Sequence, residues 1–157
     1  MRWNAIGTLP CPVARSLSVI GDRWTILVLR DAFLGVRQFD GFLASLRCSP
    51  HVLSTRLTKL VRHGVLERRR YQTRPVRHEY RLTDKGRDLY PVIASLLGWG
   101  DRWMNQGRRT ITLVHDACGH ETTPAFTCSA CGERLDPRRV RARPGPSPAT
   151  PERSERP

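Results

Sequence analysis

Residues 37–86 carry a pattern that few folds satisfy. In RQFDGFLASL (37–46), Phe39, Phe42, Leu43 and Leu46 recur at i, i+3, i+4 and i+7, one face of a short helix. Arg47-Cys48-Ser49 interrupts that period, and Ser49-Pro50 then reads as a new helix start, with Ser as N-cap and Pro at the first helical position. The second helix turns Leu53, Leu57, Leu60 and Val61 inward and stops at Gly64, a residue suited to the left-handed position past a helix end. A hairpin follows: VLERRRY, a turn around Gln72-Thr73-Arg74-Pro75, then VRHEYRL, where Tyr80 and Leu82 alternate with Glu79 and Arg81. Two short helices across a tight turn, with a hairpin beside them, make a winged helix-turn-helix.

Charge collects on the same stretch. Residues 47–87 hold twelve Lys/Arg against three acidic residues, net +9 in 41 positions. Residues 1–110 are net +12 and residues 111–157 only net +1, so the excess belongs to the helical part and not to a basic tail. All but two of the 27 basic residues are arginine, whose planar fork suits phosphate and guanine. Such a surface is built to meet double-stranded DNA.

With its leucines facing the core, the second helix leaves His51, Ser54, Thr55, Arg56, Lys59 and Arg62 for solvent or a groove. Residues near the N-terminus of a recognition helix reach base edges, so His51, Ser54, Thr55 and Arg56 are the candidate base contacts. Lys59 and Arg62 fall to phosphate. Ser49 can offer a phosphate both its hydroxyl and the helix N–H groups. Arg74 and Arg77 flank the wing tip and suit the adjacent minor groove or backbone. Arg68, Arg69 and Arg70 alternate in direction along their strand, so at most some of them face DNA.

Helices are also expected on either side. Val13, Leu17 and Ile20 set a first helix over 12–20, and Asp22 caps a second from Arg23 to Phe33, with Trp24, Leu27 and Val28 buried. Thr83-Asp84 opens a last helix extending to about Met104, bearing Leu89, Ile93, Leu96, Leu97, Gly100 and Trp103 on one stripe and Trp99 on its flank. Pro91 predicts a kink near 87–91. A helix this apolar either folds back onto its own domain or pairs with another copy.

Cys11-Pro12, IGDRWTILVLRDAFLG (20–35), RQFDGFLASL, SPHVLSTRLTKLVRHGVLERRRY and YRLTDKGRDL together resemble the HxlR-type transcriptional regulators over roughly residues 9–106. The resemblance implies a mainly α fold with a small β-wing (α+β) and a homodimer through the first and last helices. It also implies transcription regulation, most often repression, at an inverted-repeat operator. In several such regulators the cysteine of the Cys-Pro pair responds to oxidants or electrophiles. Cys11 therefore reads either as a sensing thiol near the N-cap of the first helix, with Arg15 one turn on, or as a small residue packed at a dimer interface. Cys48, in the helix-turn-helix turn, reads as core.

Three more cysteines lie beyond the resemblance. LVHDACGHETTPAFTCSACGERL contains His115-x2-Cys118-Gly and Cys128-x2-Cys131-Gly, the ligand spacing of a zinc ribbon with His in place of one Cys. His120 competes with His115 as the fourth ligand. A metal-free remnant and a Cys118–Cys128 disulfide are the other readings. Four protein ligands would close the site, which makes the zinc structural. The ribbon would then be a docking module for a protein partner or a nucleic-acid contact.

The expected organisation is an N-terminal arm (1–8), a winged helix-turn-helix and dimerisation domain (9–106), a zinc-ribbon-like segment (111–136) and a disordered Pro/Arg-rich tail (137–157). The longest apolar run, Ile26 to Leu29, is too short for a membrane span, and a cytoplasmic location is expected. No acid–base constellation, phosphate loop or open metal site suggests an enzyme. The competing class is a basic RNA-associated or nucleoid protein that binds without reading sequence.

Overall fold

The computed structural model describes residues 3–143 and 145 and forms two compact units, Met1–Thr122 and Thr123–Pro157. In the first unit a 3-10 helix, Trp3–Thr8, occupies the segment expected to be an arm and packs against α1 (Pro12–Ile20). Then come α2 (Arg23–Phe33), α3 (Phe39–Leu46) and α4 (Pro50–Arg62). The antiparallel hairpin β1 (Leu66–Thr73) and β2 (Val76–Leu82) is followed by α5 (Asp84–Arg87), α6 (Tyr90–Trp103) and a small hairpin, β3 (Leu113–His115) with β4 (His120–Thr122). This is an α+β winged-helix fold.

Each boundary has a local cause. The Asp22 carboxylate accepts from the N–H groups of Trp24 and Thr25, and Ser49 Oγ accepts from Val52 N, so α2 and α4 begin on side-chain caps. Arg47 ends α3 in the left-handed region, at φ 50°. The core is the one the apolar periods describe: Val28, Leu29, Phe42, Leu46, Leu53, Leu57 and Leu60 are buried together with Ile20, Val65 and Leu66. Trp24 and Leu27, expected to be buried, are only half so. Thr25, Leu29 and Asp31 share the inner face of α2 with Val28. Asp31 is held by Arg30, whose Nε and Nη2 donate to Oδ1 at 2.9 and 2.7 Å.

The wing is anchored at its base. Thr83 Oγ1 donates to Gly64 O at 2.6 Å and accepts from Gly86 N, Thr83 N donates to Val65 O, and Lys85 Nζ donates to His63 O. Gly86 lies so close beneath this clasp that a β-carbon there would stand 2.2 Å from Val65 O. Along the other edge of the hairpin, Tyr80 N donates to Arg37 O and Gln38 bridges Glu79, so the approach to α3 acts as a short third strand. For that reason β2 does not alternate between buried and open positions. Glu79 and Arg81 are half-covered, as Tyr80 and Leu82 are. The hairpin turn is tighter than predicted, because Thr73 pairs with Val76, and Tyr71 stands unpaired at a register shift between Arg70 and Gln72.

The single long last helix is corrected to two. α5 stops at Arg87 and α6 starts at Tyr90, so Pro91 lies in the first turn of a new helix, where its missing N–H costs nothing. Leu89 and Ile93 pack on the core, whereas Leu96, Trp99, Trp103 and Met104 are 47, 56, 63 and 66% exposed. Ile111 and Leu113, first in the segment expected to be ribbon, line an apolar hollow of about 250 Å³ with Leu27, Ile93 and Leu97.

The second unit is turns: Leu135 N donates to Phe126 O, Thr127 bridges Arg134, and Arg139 pairs with Glu133. None of its described residues is buried. The expected tail, 137–157, lies mostly outside the described residues.

Candidate nucleic-acid interface

α4 presents two faces. Leu53, Leu57 and Leu60 are inside, and His51, Ser54, Thr55 and Arg62 are exposed. The structure refines what each can offer. Ser54 and His51 are exposed, and among the described residues neither the Ser54 hydroxyl nor the His51 ring has a hydrogen-bond partner. Thr55 Oγ1 donates to His51 O at 2.9 Å, which leaves it chiefly an acceptor. Ser49 Oγ already caps its helix, so its remaining resource for a phosphate is its proton. Lys59 is half-buried. Burial, then Arg56 and Arg62, hold its ammonium below the usual range against the opposing pull of Asp22. His63, at the helix end, is pushed down by burial and by Arg62, Lys59 and Lys85, and is therefore neutral near pH 7.

Arg56 is placed differently from a free base reader. Its Nε lies 2.9 Å from Asp22 Oδ1, an ion pair whose N–H is not aligned for a hydrogen bond. The same carboxylate oxygen caps α2. Asp22 thus joins the start of α2 to the exposed helix α4. Asp22→Ala is expected to lower unfolding stability by about 1–2 kcal/mol, mostly as a lost cap. Asp22→Asn, which keeps a capping oxygen and loses the charge, should lose less than about 1 kcal/mol, because both partners are partly solvated. Urea unfolding of the two variants checks this, and equal losses would contradict it.

The hairpin sorts its arginines by face. Glu67 pairs in register with Arg81, and Arg69 with Glu79. Ion pairs of 2.7 Å run along each strand, Arg69 to Glu67 and Arg81 to Glu79. These four charges neutralise one another on one face. Arg68 and Arg70 alternate onto the other face, the one that carries Leu66, Tyr80 and Leu82 into the core, and Arg68 Nη2 meets His78 Nδ1 at 3.0 Å. Arg74 is exposed at the tip. Arg77 is exposed beyond the neutralised square. Of the twelve basic residues in 47–87, Arg56, Arg69, Arg81 and Arg87 have acidic partners. Among the described residues the other eight have none. The sequence reading left open which of Arg68, Arg69 and Arg70 stand free, although Glu-x-Arg in one strand opposite Glu-x-Arg in the other separates Arg69 from Arg68 and Arg70.

Cys11 is exposed, at the N-cap of α1, and makes no capping bond through its side chain. Arg15 turns away to donate to Leu9 O. Cys48 is half-buried against the core.

The two cysteine turns are built alike. Gly119 N donates to His115 O at 2.8 Å, and Gly132 N donates to Cys128 O at 2.8 Å. Both glycines are left-handed, at φ 70° and 73°. In the first turn, Cys118 Sγ and His115 Nδ1 are 3.4 Å apart. In the second, the N–H groups of Cys131 and Ala130 and the Cys131 thiol hold Cys128 below the usual thiol range, against a small opposing effect of burial. No group of three or more His, Cys, Asp or Glu stands ready-made for a metal among the described residues.

A family model described as HxlR-like helix-turn-helix matches residues 19–108, more than half of the chain. The chain belongs to the HxlR-like helix-turn-helix family. It is 43% identical over 135 residues to Rv3095 of Mycobacterium tuberculosis, an uncharacterized HTH-type transcriptional regulator, with 85% of each chain covered. Coverage of that extent in a 157-residue chain reaches past residue 130, well beyond the family segment. Among solved structures, the candidate transcription factor PA1607 superposes with a TM-score of 0.78 at 34% identity, covering 88% of this chain and 98% of its own. The reduced redox regulator HypR superposes with a TM-score of 0.56 at 28% identity, covering 62% and 100%. No helix among the described residues is long and apolar enough to cross a membrane.

Proposed function

We propose that this HxlR-like protein is a homodimeric transcriptional regulator, acting as a repressor, that reads an inverted-repeat operator. The carrying observation is the juxtaposition of the polar face of α4 (His51, Ser54, Thr55, Arg62) with a hairpin whose Arg68, Arg70, Arg74 and Arg77 have no acidic partner among the described residues. α4 enters the major groove, with His51 and Ser54 toward base edges. Ser49, Lys59 and Arg62 contact phosphate, and the wing lies against the neighbouring backbone or minor groove. Arg56 positions α4 through Asp22.

The dimer is supported by the open apolar side of α6 and by Val13 and Leu17 on α1, 67 and 38% exposed, which together exceed what one winged-helix core covers. A two-fold axis demands half-sites about 10 bp apart or a multiple of that. Footprinting the protein on DNA tests this. Two equivalent protected segments are expected, and a single segment bound at full affinity by a monomer would contradict it.

Cys11 is the signal input in this reading, an exposed thiol at the start of a dimer-forming helix, in a chain similar to a redox regulator. Diamide or a quinone is expected to release wild-type protein from DNA at doses that leave Cys11→Ser bound. Equal release of the two proteins would remove Cys11 from the account.

A further inference from the structure

We infer that the apolar hollow between α2, α6 and the segment leading into β3 is a binding site for a small neutral aromatic molecule, a single ring or two fused rings. Ile26 and Leu27 of α2, Ile93 and Leu97 of α6, and Ile111 and Leu113 at β3 form its wall, all within the first compact unit. Each of these side chains is only partly buried. Leu34 and Leu96 also line it and are 54 and 47% exposed, so its mouth opens between the end of α2 and α6.

Volume decides what fits. Protein interiors are packed closely enough that few voids exceed a single water. The hollow measures about 250 Å³, the share of roughly eight waters at about 30 Å³ each. Of its lining side chains only Arg30 and Tyr90 carry polar atoms, and a buried water needs about two to four polar partners, so water fills this space poorly. A dry cavity of about 150 Å³ walled by Leu, Ile and Phe holds benzene. The present hollow has room for a second fused ring and falls short of the roughly 300 Å³ at which drug-sized sites begin.

The wall also sets the polarity of its ligand. Phe33 and Tyr90 meet edge to face, with centroids 5.5 Å apart, and form an aromatic corner. Arg30 donates from Nε and Nη2 to Asp31 Oδ1, which leaves Nη1 to donate elsewhere. The Tyr90 hydroxyl has no hydrogen-bond partner among the described residues. Because Asp31 already offsets the Arg30 charge, a carboxylate would enter this apolar space without a free counter-charge. One neutral oxygen, as in a phenol or a ketone, suits Arg30 and Tyr90 better. Trp99, Trp103 and Met104, the broadest apolar surface that α6 offers a second copy, do not line the hollow, which leaves it to a small molecule.

Calorimetric titration of the reduced full-length protein with 1-naphthol tests the site, with no DNA present, so the outcome is separate from that of the regulator reading. One molecule per chain is expected, with a Kd below about 100 µM. Leu97→Trp, which fills the hollow, should weaken binding about tenfold or more while circular dichroism stays that of wild type. Tyr90→Phe, which removes only the hydroxyl, should weaken it about fivefold. 1-Naphthoate should bind about tenfold or more weakly than 1-naphthol. Absence of 1-naphthol binding at about 1 mM, or equal affinity in wild type and Leu97→Trp, would overturn the site. Naphthoate bound as tightly as naphthol would overturn the neutral ligand. If wild type bound neither and Leu97→Trp dissociated the dimer, the partner subunit would be the occupant in place of a small molecule.

Discussion

Replacing Arg68, Arg70 and Arg74 together by glutamine is expected to weaken DNA binding about 100-fold near physiological salt and to make it less salt-dependent. Each phosphate contact contributes about −0.9 to the slope of log K against log salt, so three contacts should flatten it by roughly 2.7. The reason is positional, since these arginines have no acidic partner among the described residues and Arg68 and Arg70 share one hairpin face. Arg69→Gln with Arg81→Gln removes two charges of the same type from the neutralised face. That pair should leave affinity within a few-fold of wild type, because Glu67 and Glu79 already offset both. A salt titration of the two variants side by side separates a face-specific interface from general basicity. If the double variant lost as much as the triple, the assignment of faces would be wrong.

The second large effect is on stability. Gly86→Ala should lower it by about 3 kcal/mol, since the new β-carbon would sit 2.2 Å from a backbone carbonyl that cannot retreat. Val65 O is held where it is by Thr83, whose N–H donates to it and whose hydroxyl donates to the adjoining Gly64 O. Relief of the overlap means parting α5 from the base of the hairpin, which would also release the wing from the end of α4. For a domain of roughly 100 residues such a loss lowers the melting temperature by more than about 10 °C. A melting temperature within two or three degrees of wild type would show that the clasp has slack the distances do not suggest.

The helix-turn-helix was legible in the sequence because its signals are local and redundant. Ser49-Pro50, the leucines of α4 and Gly64 each mark the same element. The α6 start was misread because Pro91 is compatible with either a kink or a new first turn. The choice depends on Leu89 and Ile93 docking on the core, a tertiary fact. Arg56 shows the same limit: helical spacing puts it on the outer face, but the carboxylate it pairs with, Asp22, is 34 positions away. The pairing of Glu67 with Arg81 and of Arg69 with Glu79 needed the hairpin register, which the predicted four-residue turn would have shifted. By contrast, the Cys and His turns were visible from spacing alone, since an x2 interval fixes a bend without help from the rest of the fold.

The most direct test of the central claim is binding of the reduced protein to the DNA upstream of its own gene, with excess nonspecific DNA and a salt titration. The account requires a complex at a two-fold repeat that survives competitor, with a preference of about 10³-fold or more over unrelated DNA. A complex that competitor abolishes, leaving only a steep salt dependence, would contradict sequence reading and leave a basic nucleic-acid binder in its place.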